Sequence, residues 1–268
     1  MAVSNRSRWL LRIGALGYLG VLVMVPLVMI FFRTFEDGLV AFWDQVTTPA
    51  SISAISVSLI ILAVVVPANV IFGVVTALAL ARGRFRGKRV VETIVDLPFA
   101  VSPVIVGVSL VLLWGVDGWF GGLADHGIRI IFSLPGMILA SIFVTLPFVV
   151  REVEPVLREI GDEQEEAAVT LGANWRQTFW RITLPGIRWG LLYGVVLTIA
   201  RSLGEFGAVL VVSSGIAGEG QTLTLLVHSR YIDDHNVFGA YAASTVLMLM
   251  AIVALVLMTL LNRKRESE

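Results

Sequence analysis

GDEQEEAAVTLGANWRQTFWRITLP, residues 161–185, is the stretch on which the reading of the whole chain turns. It lies between two long apolar runs and reads as two short helices joined by a glycine. Asp162 suits an N-cap, and Glu165, three residues on, completes a capping box that satisfies the first free amides. Glu163, Glu165 and Glu166 place negative charge where the helix dipole favours it. Gly172 ends this helix, because glycine enters the left-handed conformation without a Cβ penalty. Asn174 caps a second helix with Gln177 at its third position, and Pro185 is expected to stop it. Ala167 and Ala168 keep one face of the first helix narrow, so that a partner's backbone can come close. A rigid, small-faced helix pair on a loop is suited to docking.

The flanks of this loop are those of a polytopic membrane protein. With 57% hydrophobic and 15% charged residues and a mean hydropathy of +0.87, an ordinary soluble domain is excluded. Six apolar stretches are long enough to cross a bilayer, at residues 13–32, 54–81, 93–114, 134–150, 189–212 and 238–261. The first is too long for a signal-peptide core, and FFRTFEDG after it offers no small-residue cleavage site, so it is expected to stay in the membrane. Pro67 is expected to kink the second span. Asp96, Pro98 and Pro103 predict that the third is bent and faces protein or a cavity. Pro147 lies near the end of a compact fourth span.

Charge sets the topology. Of the 20 Lys and Arg, sixteen fall in the first tail, the second–third loop, the fourth–fifth loop and the last tail. By the positive-inside rule these segments are cytoplasmic, both termini with them, and so is loop 161–185. The remaining segments, an acidic linker at 33–53, a glycine-rich turn at 115–133 and the stretch 213–237, are exterior. The chain divides into residues 1–53 (tail, first span and exterior linker), 54–262 (five helices carrying loop 161–185) and 263–268 (a cytoplasmic tail).

Catalytic signatures are few. The chain has no cysteine, which removes disulfides, thiolate metal sites and cysteine nucleophiles. ARGRFRGKR, residues 81–89, faintly resembles a phosphate loop. Only three residues separate its glycines, Arg89 stands where a magnesium-holding hydroxyl belongs, and a membrane helix precedes it. It reads as a basic membrane-surface loop. His126, His228 and His235 all fall on the exterior side, without metal-ligand spacing or an intramembrane carboxylate pair. Asp233-Asp234-His235 reads as a hydrophilic loop ahead of a carboxylate–imidazole site. No catalytic, cofactor or metal residue is expected, and nucleic acid is not an expected partner.

Arg201 and Glu205 lie four residues apart inside the fifth apolar stretch, hence on one face of a helix. Charge in the bilayer interior is costly unless paired or wet. Two readings stand open: an intramembrane ion pair that holds the fifth span, and a border of a translocation path.

Glu166-Ala167-Ala168, Gly172 after three residues, and Ile182-Thr183-Leu184-Pro185 after nine more match the EAA loop of binding-protein-dependent ABC importer permeases at every fixed position. DLPFAVSPVIVG (96–107), WFGG (119–122), RITLPGIRWGLLYGVVLT (181–198) and RSLGEFGAVLVVSSGIAGEGQTLTL (201–225) resemble the sulfate/thiosulfate importer permeases of the CysW type. Molybdate permeases share Gly204-Glu205-Phe206-Gly207, and the acidic run 162–166 is longer than the family's.

The resemblance implies an all-α membrane protein of the type I ABC importer permease fold, in a bacterial inner membrane. It implies a docking loop of Glu166, Ala167, Ala168, Gly172, Ile182, Leu184 and Pro185 that couples the spans to an ATPase. It implies as partners a second permease subunit of the CysT type, an ATPase dimer and an extracytoplasmic sulfate-binding protein, with ATP and magnesium held by the ATPase. Two alternatives remain: a molybdate, tungstate or other oxyanion permease of the same kind, and a stand-alone channel or secondary transporter.

Overall fold

Each apolar stretch of the sequence becomes a helix, and the helices are longer and more broken than the stretches suggest. A computed structural model describes residues 5–266, and those residues contain no strand. In chain order the helices are α1 (Asn5–Leu19), α2 (Val25–Phe35), α3 (Gly38–Val46), α4 (Pro49–Arg82), α5 (Lys88–Ala100), α6 (Pro103–Trp114) and α7 (Gly122–Asp125). Then follow α8 (Leu134–Ile160), α9 (Glu163–Thr170), α10 (Trp175–Thr178), α11 (Leu184–Leu203), α12 (Gly207–Val212), α13 (Leu223–His228) and α14 (Val237–Glu266). Widened π turns at Gly20–Met24, Phe179–Thr183 and Ser229–Asp233 join α1 to α2, α10 to α11, and the end of α13 to the approach of α14. Among the described residues five helical runs are long and apolar enough to cross a membrane, or six if the bent pair α5 and α6 is one span. The extreme ends of the expected tails, residues 1–4 and 267–268, lie outside the described residues.

The third span is bent, as Pro98 and Pro103 predict: α5 and α6 meet at 112° across Val101 and Ser102, because Pro103 biases Ser102 toward extended backbone and Pro98 has already cost the ladder a donor. Two expectations need correction. The fourth span does not stop near Pro147. α8 runs through Pro147 and Pro155 to Ile160, buried along Val149, Val150, Val153 and Leu157, so packing outweighs two lost backbone bonds. The fifth helix ends at Leu203, and α12 is a separate six-residue helix beyond Gly204. Within residues 213–237, Leu223, Leu225 and Leu226 are buried, with Leu223 and Leu226 packed on Ala54 and Ala243. α4, by contrast, passes through Pro67 as one helix.

α8 is the axis of the bundle, packed against α4, α5, α6, α11 and α12. Close approach is bought with glycine. A Cβ on Gly73 of α4 would sit 2.6 Å from Val149, and one on Gly194 of α11 would sit 2.9 Å from the Val149 Cα. Gly190 and Gly194 form a small-xxx-small pair that lets α11 lie on α8 backbone to backbone. Asn69 of α4 donates to the Thr145 hydroxyl of α8 at 2.6 Å, fully buried. Interhelical hydrogen bonds of this kind contribute roughly 0.6 kcal/mol, up to about 2. The bundle therefore offers rigid, closely seated helices at the end where α8 gives way to loop 161–185.

At the opposite end Arg230 is buried, with no carboxylate among the described residues hydrogen-bonded to it. It donates to the Gly239 carbonyl (3.0 Å), the Thr48 hydroxyl (2.8 Å) and the Ser51 hydroxyl (2.8 Å), tying the α13–α14 turn to the start of α4. Burial pulls its guanidinium below the usual arginine range, with Asp234 opposing.

Candidate functional site

Loop 161–185 is built by local rules on its outer side and by long-range contacts on its inner side. Gly172 takes φ +86°, and the chain closes α9 with paired bonds: Ala173 N–H to the Ala168 carbonyl (3.0 Å) and Gly172 N–H to the Val169 carbonyl (2.9 Å). Asn174 and Gln177 form the expected capping box, their side chains each accepting from the other's backbone N–H at 3.0 and 2.9 Å.

The other expected box does not form. Asp162 makes no side-chain cap, and Glu165 turns inward instead. Its Oε1 accepts from the Thr183 hydroxyl at 2.7 Å and its Oε2 from Arg82 Nε at 3.2 Å. A charge-assisted bond to a guanidinium outweighs one to a backbone amide that water can satisfy. Nor does Pro185 stop the second helix. The π turn at Phe179–Thr183 sends the Leu184 N–H back five residues to Phe179, and this widened turn admits the proline ring near the start of α11.

Arg82, the last residue of α4, is the residue at the back of the loop that the sequence alone does not single out. Besides Glu165 it holds the Leu157 carbonyl (2.9 Å) and the Gly161 carbonyl, so one side chain joins α4, the end of α8 and α9. The Thr183 bond adds the root of α11. A lone arginine ending a span next to a basic run carries no local mark of that role.

The motif residues divide accordingly. Glu166 and Ala167 are exposed on α9, Ala168 is half-buried, and Gly172 is exposed at the turn. Ile182 and Leu184 are half-buried, Leu184 against the cluster around Leu157 and Ile187, while Pro185 is exposed. Beside the motif positions Val169, Leu171 and Trp175 stand out at 59%, 89% and 72% exposed. A cleft of about 690 Å³ runs between α9 and α10, with Glu166, Val169, Trp175 and Phe179 among its walls. The loop is thus anchored behind and bare in front.

Arg201 and Glu205 do meet, Nη1 to Oε2 at 2.7 Å, but not on one continuous helix. Glu205 lies past the end of α11, 2% exposed, and its Oε1 accepts the Ala208 N–H at 2.8 Å, closing the first turn of α12. The Nη1 approach to Oε2 is close but off the hydrogen-bond direction, so charge holds that oxygen more than a directed bond. The Glu205 carbonyl accepts from the Thr224 hydroxyl at 2.8 Å, which draws α13 in. Arg201 keeps a third of its side chain exposed.

The histidines stay apart. His126 lies against the Gly122 carbonyl at 2.8 Å, and His235 against the carbonyl, not the carboxylate, of Asp233 at 3.2 Å. His228 packs by the Phe206 ring at 5.2 Å. Among the described residues no three His, Asp or Glu side chains are grouped to hold a metal.

The profile described as "Binding-protein-dependent transport system inner membrane component" matches residues 69–267. The sulfate transport system permease protein CysW of Synechocystis sp. (strain ATCC 27184 / PCC 6803 / Kazusa) is 47% identical over 260 residues, 97% of this chain and 94% of that protein. The sulfate transport system permease protein CysT of the same organism is 35% identical over 247 residues, covering 92% and 86%. In structure, a chain of a bacterial ABC transporter involved in the import of alginate superposes with a TM-score of 0.77 over 98% of this chain and 96% of that one. At 19% identity that likeness is one of fold.

Proposed function

This chain belongs to the family of binding-protein-dependent transport system inner membrane components, and from that premise we propose that it is the permease subunit of an ATP-driven sulfate/thiosulfate importer. It is a multi-pass inner-membrane protein of the type I ABC importer permease fold, and a transport subunit rather than an ATPase. On this reading both termini and loop 161–185 are cytoplasmic, and residues 54–262 form the transport domain. A CysT-type permease completes the path, an extracytoplasmic binding protein delivers the anion, and an ATPase dimer holds ATP and magnesium.

The observation that carries the reading is the division of the loop into a bare front and an anchored back. The front, Glu166 and Ala167 with Val169 and Leu171 beside them, offers a small-residue and apolar surface for the ATPase. The back, Glu165 with Arg82 and Thr183, ties α9 to α4, α8 and α11. A displacement of α9 by ATPase closure then moves three closely packed helices together, since packed interfaces shift between discrete arrangements rather than deform. The sulfate path opens and closes without covalent chemistry on this subunit. Of the two readings of Arg201 and Glu205, the carboxylate's hold on α12 favours the structural bridge.

Reconstitution with the three partners in proteoliposomes tests the reading. Sulfate uptake should require ATP and the binding protein, and thiosulfate should compete. Uptake without ATP would mean a channel or secondary transporter, and uptake of molybdate in place of sulfate would move the chain to another oxyanion. For Arg201, a charge exchange with Glu205 is a poor test, because an arginine at 205 cannot accept the Ala208 N–H. Arg201→Lys is better: a bridge keeps its apparent KM for sulfate, whereas a path residue shifts it.

A further inference from the structure

Most of the arginines around the basic segment that joins α4 to α5 have partners, whereas the cations of the segment itself have none among the described residues. Arg82 is spent on Glu165, Arg151 on Asp96, and Arg158 on Glu154 and Glu92. Arg176 and Arg188 lie over the tryptophan rings next to them. Arg84, Arg86, Lys88 and Arg89 make no ion pair or side-chain hydrogen bond among the described residues, although all four stand within six positions of one another.

Chain length fixes where they are. Five residues join the end of α4 to the start of α5. At about 3.5 Å per extended residue, such a loop cannot rise far from the surface where the two apolar helices emerge. The same place is apolar below and charged above. Val90, Ile94 and Leu97, at helical spacing on α5, are 61%, 60% and 44% exposed, and Phe85 is 43% exposed at the loop tip. Between stripe and tip a hollow of about 440 Å³ is walled by Phe85, Gly87, Lys88, Arg89, Glu92 and Arg158. Glu92, the only acid there, is held by Arg158 at 3.5 Å.

The geometry points to a site for an acidic phospholipid, its phosphate headgroup on Arg84, Arg86, Lys88 and Arg89 and its acyl chain along Val90, Ile94 and Leu97. The cations supply charge where an anionic leaflet lacks it, and the exposed stripe takes the chain that a free anion does not have. Each such cation near an anionic surface favours binding by about fivefold.

Native mass spectrometry of the full chain in neutral detergent tests this, with dioleoyl phosphatidylglycerol and dioleoyl phosphatidylcholine as probes. Phosphatidylglycerol should be retained in preference, and the preference should fall as salt rises from about 0.05 to about 0.5 M. Arg84→Gln with Arg86→Gln should cut it on the order of twentyfold, while Arg176→Gln with Arg181→Gln, exposed arginines of the neighbouring loop, should leave it. Changing all four residues to Gln should abolish it. Equal retention of the two lipids by the wild type, or undiminished preference in the fourfold variant, would overturn the site. Displacement of the lipid by inorganic phosphate would show a free-anion site and overturn it as well. So would loss of ATPase co-purification from the fourfold variant with its lipid preference intact, which would make the patch a protein surface.

Discussion

Glu165 and Glu205 each take one arginine and one further donor, yet they do opposite things. Glu165 reaches across the chain, to Arg82, 83 residues away, and to Thr183, 18 away, and it stays one-fifth exposed. The Glu205 carboxylate binds only its own neighbourhood, Arg201 four residues before it and Ala208 three after, and the side chain is 1% exposed. The long-range carboxylate joins helices that, on the proposed reading, move together. The local one ends a helix and starts another where the membrane offers no water to cap it. Removing the second should damage the fold, and removing the first should damage coupling.

The largest effect is therefore expected at Glu205. Glu205→Ala strands a guanidinium and an amide in the bundle and should lower stability by about 3 kcal/mol, the lower end for a broken buried pair because Arg201 is a third exposed. The thermal midpoint in detergent and the yield of inserted chain should both fall. A variant of normal yield and midpoint would break the contrast. Arg82→Ala should cost less, about 2 kcal/mol for a charged side chain that makes several hydrogen bonds. Here insertion should survive while ATP-dependent uptake fails, with faster hydrogen exchange in residues 163–170. Smaller again is Gly172→Val. Nothing lies within 4 Å of its added Cβ, so only the φ of +86° is strained, at about 1–2 kcal/mol. Gly172→Asn, a residue that tolerates this conformation, should restore most of the uptake. If Asn fails as Val does, the turn is not what matters there.

What could be read in advance follows the range of the interactions. Gly172 and the Asn174–Gln177 box were legible because each is complete within a few residues. So were the spans, since a run of apolar residues is its own evidence. Glu165 reads as a cap residue in sequence because Asp162 stands three residues before it, while its actual partners, Arg82 and Thr183, lie outside any local window. Pro185 was misread because a π turn ahead of it removes the clash that would have ended the helix. The break after Leu203 hid in an apolar run that looks continuous from 189 to 212; only the placement of Gly204 and Glu205 marks it. Buried Arg230 had no mark at all, since its partners are carbonyls and hydroxyls of distant segments.

On the proposed reading the ATPase sits on the bare front of α9. A photo-crosslinking residue placed at Ala167, in the complex reconstituted with its partners, tests it directly, with the same residue at Gly122 on the opposite face as control. An ATPase adduct from position 167, altered in yield when ATP is added, and none from position 122, is the predicted result. No adduct from 167 in a complex that transports sulfate, or one from 122, would contradict it.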